Sequence, residues 1–111
     1  MMFVDFTAGN KEYKLRLNTR SLVALEKSLG YNPLSIFGDG DTLPTITDII
    51  KVLHASLAQY NHSITLDGAF DIFDDYIADG HVMTDFLPVI LEVYKVSGLI
   101  KNDKVDNEKN V

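Results

Sequence analysis

The densest group of potentially reactive side chains is an acidic series formed by Asp71, Asp74, Asp75 and Asp79. Asp71, Asp75 and Asp79 recur every four residues, so they would share one face of a helix. Neighbouring carboxylates can bind a hard cation or share acid–base work. A calcium loop, however, needs alternating oxygen ligands around a glycine, and the Asp79-Gly80 pair lacks the preceding acids. We therefore interpret the series as a solvated acidic face and predict no metal site.

The remaining chemistry-bearing residues do not form a known motif. The three histidines are His54, His62 and His81, and the closest pair is eight residues apart, whereas helical zinc ligands are four apart. No serine lies in a nucleophile elbow, and no phosphate loop or dinucleotide-binding fingerprint is present. The sequence contains no cysteine, which excludes thiolate chemistry. We predict a protein that is not an enzyme and needs no cofactor.

Composition and charge limit the classes of partner. The chain has 111 residues, of which 46% are hydrophobic, enough for a single domain with a core. The net charge is −6, and no Lys or Arg lies between Lys51 and Lys95. Such a surface repels phosphate backbones, so we predict no nucleic-acid binding. An acidic mimic of nucleic acid that binds a basic protein is an alternative, although solubility is the simpler reason for the charge.

The sequence indicates neither export nor membrane insertion. The first residues include Asp5 and too short an apolar run for a signal peptide. The apolar segment near the C-terminus is interrupted by Glu92 and Lys95 and is too short to span a membrane. We expect a soluble cytoplasmic protein.

Alternating residues near the N-terminus predict a β-hairpin, with strands over residues 2–7 and 12–17 and a turn at Ala8-Gly9-Asn10. Lys14 and Arg16 fall on the face opposite the apolar residues, where they would discourage uncontrolled edge pairing. The apolar face of the second strand consists of Tyr13, Leu15 and Leu17.

Four helices are expected to follow the hairpin. The first runs over about residues 19–29 after Asn18 or Thr19 as cap, the second ends near Tyr60, the third ends at Gly80, and the last begins at Thr84. The predicted fold class is α+β and mainly helical, with an N-terminal β-hairpin packed on about four α-helices. Residues 1–100 would form one domain, and residues 101–111 a disordered tail.

Two helices carry predicted apolar faces that matter for function. On the third we predict a buried stripe of Phe70, Phe73 and Ile77. The last helix is apolar nearly all round, which indicates that it lies in the core or is covered by a partner. We expect most of it to be core, with Leu87, Leu91 or Leu99 left exposed.

Three segments together resemble the tail assembly chaperones of long-tailed bacteriophages and prophages. They are YKLRLNTRSLVALEKSLGYNPLSIF, LHASLAQYNHSITLDGAFDIFDDYI and FLPVILEVYKVSGLI, and they extend from Tyr13 to Ile100. The resemblance lies in their order and spacing rather than in a chemical signature. It implies a non-catalytic helper in the host cytoplasm that binds the tape measure protein while the tail tube protein assembles, and that is absent from the mature virion.

The alternative is a minor structural tail or connector protein that stays in the virion. In either case we expect protein partners, with self-association through the hairpin edge or the last helix. The residues predicted to bind protein are Leu87, Leu91, Tyr94, Leu99, Lys14 and Arg16.

Overall fold

The computed structural model describes residues 2–38 and 42–101, in which an antiparallel β-hairpin packs on four α-helices. This confirms the predicted α+β, mainly helical fold. The strands are β1 (Val4–Ala8) and β2 (Lys11–Leu15), and the helices are α1 (Thr19–Leu29), α2 (Ile46–Leu57), α3 (Leu66–Ala78) and α4 (Phe86–Val96). Short 3-10 helices cover Pro33–Phe37 and Met83–Asp85.

The hairpin closes through a two-residue turn at Gly9 and Asn10, whose φ values are 59° and 64°. A left-handed backbone conformation at both turn residues suits the twist of the paired strands, and glycine and asparagine adopt this conformation at the least cost. Gly9 also approaches α3, because an added Cβ would lie 2.9 Å from Asp75 Oδ2. The Gly9 N–H donates to Asp79 Oδ2 at 2.8 Å. Asp79 therefore links the hairpin to the end of α3. The sequence had predicted only a solvated side chain at this position.

Local capping residues set the helix starts, as the sequence predicted. Asn18 Oδ1 accepts from the Ser21 N–H, and Ser21 Oγ accepts from the Asn18 N–H, both at 2.9 Å. Thr45 and Thr65 cap α2 and α3 with their hydroxyl oxygens, which accept from the Asp48 and Gly68 N–H groups. Gly30 ends α1 with a φ of 81°. The last helix is shorter than predicted, because residues 83–85 form a 3-10 turn before it.

Helix α2 lies at the centre of the described fold, packed against α1, α3, α4 and β2. Ile49, Ile50 and Leu53 on its apolar face are at most 1% exposed. The ends of α2 are more open, because Ile46 is 44% exposed, and Tyr60, near which the sequence predicted the helix to end, lies beyond its last residue. The Leu17 N–H donates to Ser97 Oγ at 2.9 Å, which links the end of the hairpin to the end of α4.

The predicted stripe on α3 was wrong in two of its three residues. Phe73 is buried, but Phe70 and Ile77 are each 39% exposed. The helix is rotated so that Phe73 and Tyr76 pack among the rings of Phe6 and Phe86. These ring contacts with the hairpin and α4 are long-range, so the spacing of residues along α3 does not encode the rotation. The buried face is Ala69, Ile72, Phe73 and Tyr76.

Among the described residues, no helix is long and apolar enough to cross a membrane. The sequence also predicts a flexible acidic tip over residues 38–41, and of these only Gly38 lies within the described residues. Residues 102–111 of the predicted tail lie outside them.

Candidate protein-binding surface

Helix α4 has one buried face and one open face, although nearly all of its residues are apolar. Phe86, Ile90, Val93 and Tyr94 recur at helical spacing and are at most 1% exposed. Leu91 lies on the opposite side and is 39% exposed. The core therefore uses only part of the apolar surface that α4 carries.

The open face of α4 borders an apolar groove of about 350 Å³. Phe37, at the end of the first 3-10 helix, forms its other side. We call this surface the α4 groove, and its lining residues are Phe37, Leu87, Pro88 and Leu91. Because its lining contains no ionisable side chain, the groove suits apolar side chains and offers no group for acid–base chemistry.

A buried hydrogen bond holds the two sides of the α4 groove together. The Tyr94 hydroxyl donates to the Pro33 carbonyl at 2.7 Å, and burial raises the pKa of Tyr94, which keeps the donor protonated. The 3-10 helix that carries Phe37 begins at Pro33, and Asn32 Oδ1 caps it by accepting from the Leu34 N–H at 3.0 Å. The position of Phe37 is thus set by α4 itself.

A second contact ties this region to α2. The Tyr31 hydroxyl donates to Asp48 Oδ2 at 2.7 Å. Burial, with the bond to Asp48 and its negative charge, raises the pKa of Tyr31 to about 12. The segment before the groove is therefore anchored on both sides, so the groove is preformed rather than dependent on a partner.

Leu87 also borders a small gap beside the α4 groove, where the segment leading into α2 meets the 3-10 turn before α4. The gap is too narrow to admit a water molecule, and its lining residues are Leu43, Pro44, Ile49, Met83, Thr84 and Leu87. Leu87 is therefore packed on this side against the segment before α2.

A model of a family of unknown function, DUF6096, matches residues 4–111. The chain belongs to that family. Searches of curated proteins and of solved structures found no match. The family description assigns no activity.

The predicted apolar binding residues, three on α4 and Leu99 just after it, fall at three depths. Leu91 is exposed, and Leu87 and Leu99 are half-buried with their inner sides against the core. Tyr94 is only 1% exposed, so it is not part of the accessible surface and instead supports the groove from inside. Its place on the buried face follows from the helix rotation, which the nearly uniform apolar sequence of α4 did not reveal.

The two predicted basic residues lie elsewhere, at the open end of the hairpin. Lys14 Nζ lies 4.8 Å from the ring centroid of Phe3 and 6.0 Å from that of Tyr60. Arg16 Nη1 donates to the Met2 carbonyl at 2.7 Å. Within the part of the chain that the structure describes, no hydrogen bond, ion pair or ring contact joins Lys14 or Arg16 to the α4 groove. Their contacts hold the N-terminal segment in place.

Sequence reasoning missed Phe37 as a lining residue. Pro33 indicates the short helical turn that contains Phe37, but the approach of this turn to α4 is a long-range contact that local spacing does not show. No group of three or more His, Asp or Glu among the described residues could hold a metal ion. The α4 groove offers apolar surface only.

Proposed function

We propose that this protein is a non-catalytic phage tail assembly chaperone that binds the tape measure protein and promotes tail tube assembly. The observation that carries the proposal is the α4 groove, a preformed surface lined only by apolar side chains. The order of the three sequence segments from Tyr13 to Ile100 supports the same function. A chaperone of this kind covers apolar helical segments of its client and needs no reactive group.

The energetics suit transient protection of a client. Burying one large apolar side chain contributes roughly 1.5–3 kcal/mol, so a groove of this size gains a few such increments before the cost of association. That cost leaves modest affinity, which lets the client leave when tail tube protein replaces the chaperone. On this proposal the protein acts in the host cytoplasm and is absent from the finished virion.

The direct test is co-expression with the tape measure protein of the same phage or prophage, followed by pull-down. Leu91→Glu places a charge in the groove and should abolish capture. Val23→Glu is the matched control, because Val23 is 45% exposed on α1 and lies outside the α4 groove. Equal capture by both variants would contradict the proposal. Detection of the protein in purified particles would favour the minor tail or connector protein instead.

Self-association is part of the proposal, since an exposed apolar groove is protected when copies cover each other. The hairpin is a second route, because its two strands are the whole sheet in the described residues and leave edges open. Light scattering over a concentration series should show larger species for the wild type than for Leu91→Glu. A monomer at every concentration would refute self-association without affecting client binding.

A further inference from the structure

A second groove lies on the other side of α2, between α1 and α3. Its volume is about 320 Å³. The outward residues of α2 form its floor, small residues of α1 form one wall, and Leu66 at the start of α3 forms the other. We call it the α2 groove, and its lining residues are Ser21, Ala24, Leu25, Ser28, Lys51, His54, Ala55, Ala58 and Leu66. It shares no lining residue with the α4 groove.

The polar side-chain tips in the floor are already engaged within the chain. Lys51 Nζ donates to the Ser28 carbonyl at 2.7 Å. His54 Nε2 lies 3.1 Å from the Ile64 carbonyl, within hydrogen-bonding distance. These bonds turn the polar tips toward backbone oxygens, so the floor presents their apolar stems beside Ala55 and Ala58. The groove therefore suits an apolar ligand surface.

The wall on α3 continues beyond the groove as an exposed apolar stripe. Phe70 follows Leu66 by one turn, and Ile77 follows by two further turns on the same side of the helix. The three side chains are 37%, 39% and 39% exposed in the order Leu66, Phe70 and Ile77. Of the three only Leu66 lines the groove, and Phe70 and Ile77 continue its apolar surface along α3 for a distance that fits a helical partner rather than a single side chain.

The two rims of the groove carry opposite charge. Asp67, Asp71 and Asp74 border the outer edge of the α3 stripe, and no Lys or Arg in the described residues forms an ion pair with them. On the other rim, Arg20 and Lys27 lie four residues before and three residues after Ala24, on the same side of α1. Two rims of opposite charge favour a partner whose two flanks carry the complementary charges.

We propose that the α2 groove binds an amphipathic helix of a protein partner, cationic along the flank beside α3 and anionic along the flank beside α1. The apolar stripe of that helix lies on the floor of α2 and against Leu66, Phe70 and Ile77, and its basic residues pair with the three aspartates. This surface goes beyond the proposed chaperone function and does not depend on it. It also explains why Phe70 and Ile77 remain outside the core.

The test uses a fluorescent helical peptide of about 20 residues, long enough to be helical when bound. The peptide carries leucines at positions i, i+3, i+4 and i+7, lysines on one flank and glutamates on the other. Binding to the full chain is measured by anisotropy at low salt. A second peptide with glutamates on both flanks should bind about tenfold more weakly, because the α3 rim repels it.

Two protein variants with matched controls locate the site. Ala24→Trp fills the groove and should weaken binding about tenfold, whereas Val23→Trp, one position along α1 and outside the lining, should change it by less than about twofold. The double variant D71K/D74K should weaken binding similarly, with E12K/E26K as the control of equal charge change. If Ala24→Trp does not fold, the charge variants decide alone. Absence of saturable binding to the wild type, or equal binding by the variants and their controls, would overturn the proposal.

Discussion

Helices α2 and α4 are both rich in apolar residues, yet the fold uses them differently. Helix α2 packs against four other elements, and Ile49, Ile50 and Leu53 are at most 1% exposed. Helix α4 buries one face equally well but leaves Leu91 39% exposed above an open groove. The core accounts for the apolar residues in the middle of α2, although Ile46 in its first turn is 44% exposed, whereas on α4 the open residue Leu91 lies in the middle of the helix. We propose that this open surface of α4 binds a partner.

The largest effect that tests this contrast is expected at the centre of α2. Leu53→Ala should lower the free energy of unfolding by about 2–5 kcal/mol, because a fully buried leucine leaves a cavity when truncated. Urea denaturation followed by circular dichroism measures it. A loss below about 1 kcal/mol would show that α2 is not the packed centre of the domain.

An intermediate effect is expected on the buried face of α4. Tyr94→Phe removes the hydroxyl that donates to the Pro33 carbonyl and leaves that carbonyl without its donor. We expect a loss of about 1–3 kcal/mol, typical of an unsatisfied buried acceptor. Solvent quenching of a probe at position 37 should also increase, since this bond holds the 3-10 helix against α4. Unchanged stability and quenching would mean that the bond does not organise the groove.

Alkaline pH should loosen the same region. In the folded state the pKa of Tyr31 is raised from 10.0 to about 12, and the pKa of Tyr94 is also raised by burial. The folded protein therefore keeps protons that the unfolded chain loses near pH 10, so this contribution to stability is complete below that pH and is lost as the pH rises through the folded-state pKa values. Melting temperatures measured between about pH 9 and about pH 12 should fall, and less steeply for Tyr31→Phe. If the melting temperatures of the wild type and of Tyr31→Phe fall equally with pH, ionisation of Tyr31 does not cause the loss of stability.

The smallest effect is expected at the open face of α4. Leu91→Ala makes the same chemical change as Leu53→Ala, but it should cost less than about 1 kcal/mol, because Leu91 is only partly buried. The two variants compared in one urea series give the contrast between the helices directly. Equal losses would show that Leu91 belongs to the core and would remove the main support for the α4 groove.

The sequence predicted the elements well because local signals set them. The Asn18 cap, Gly30 and the turn at Gly9 and Asn10 act through neighbouring residues, and the structure bears them out. Helix rotation was harder to predict. Phe70 and Ile77 matched a stripe with Phe73 by spacing, but α3 is rotated so that its aromatic side chains pack against rings of the hairpin and of α4.

The candidate site was also predicted only in part, since the sequence indicated some of its residues but not how they pack. Leu87 and Leu91 were predicted from the excess of apolar residues in α4, and they line the groove. Tyr94 was predicted to be a binding residue as well, because a helix that is apolar nearly all round does not show which of its faces is buried. Only its hydrogen bond to the Pro33 carbonyl shows that its side chain points inward. Phe37 comes from a separate segment, and its approach to α4 is a long-range contact that sequence spacing does not encode.

The most direct test of the account is a nuclear magnetic resonance titration of isotope-labelled protein with a helical fragment of the tape measure protein. The account predicts that amide shifts concentrate at Phe37, Leu87 and Leu91, with the interior of α2 unchanged. Leu91→Glu should remove those shifts while leaving the rest of the spectrum intact. Saturable shifts confined to α1 and α3, or no shifts at high fragment concentration, would contradict the claim that the open face of α4 binds the client.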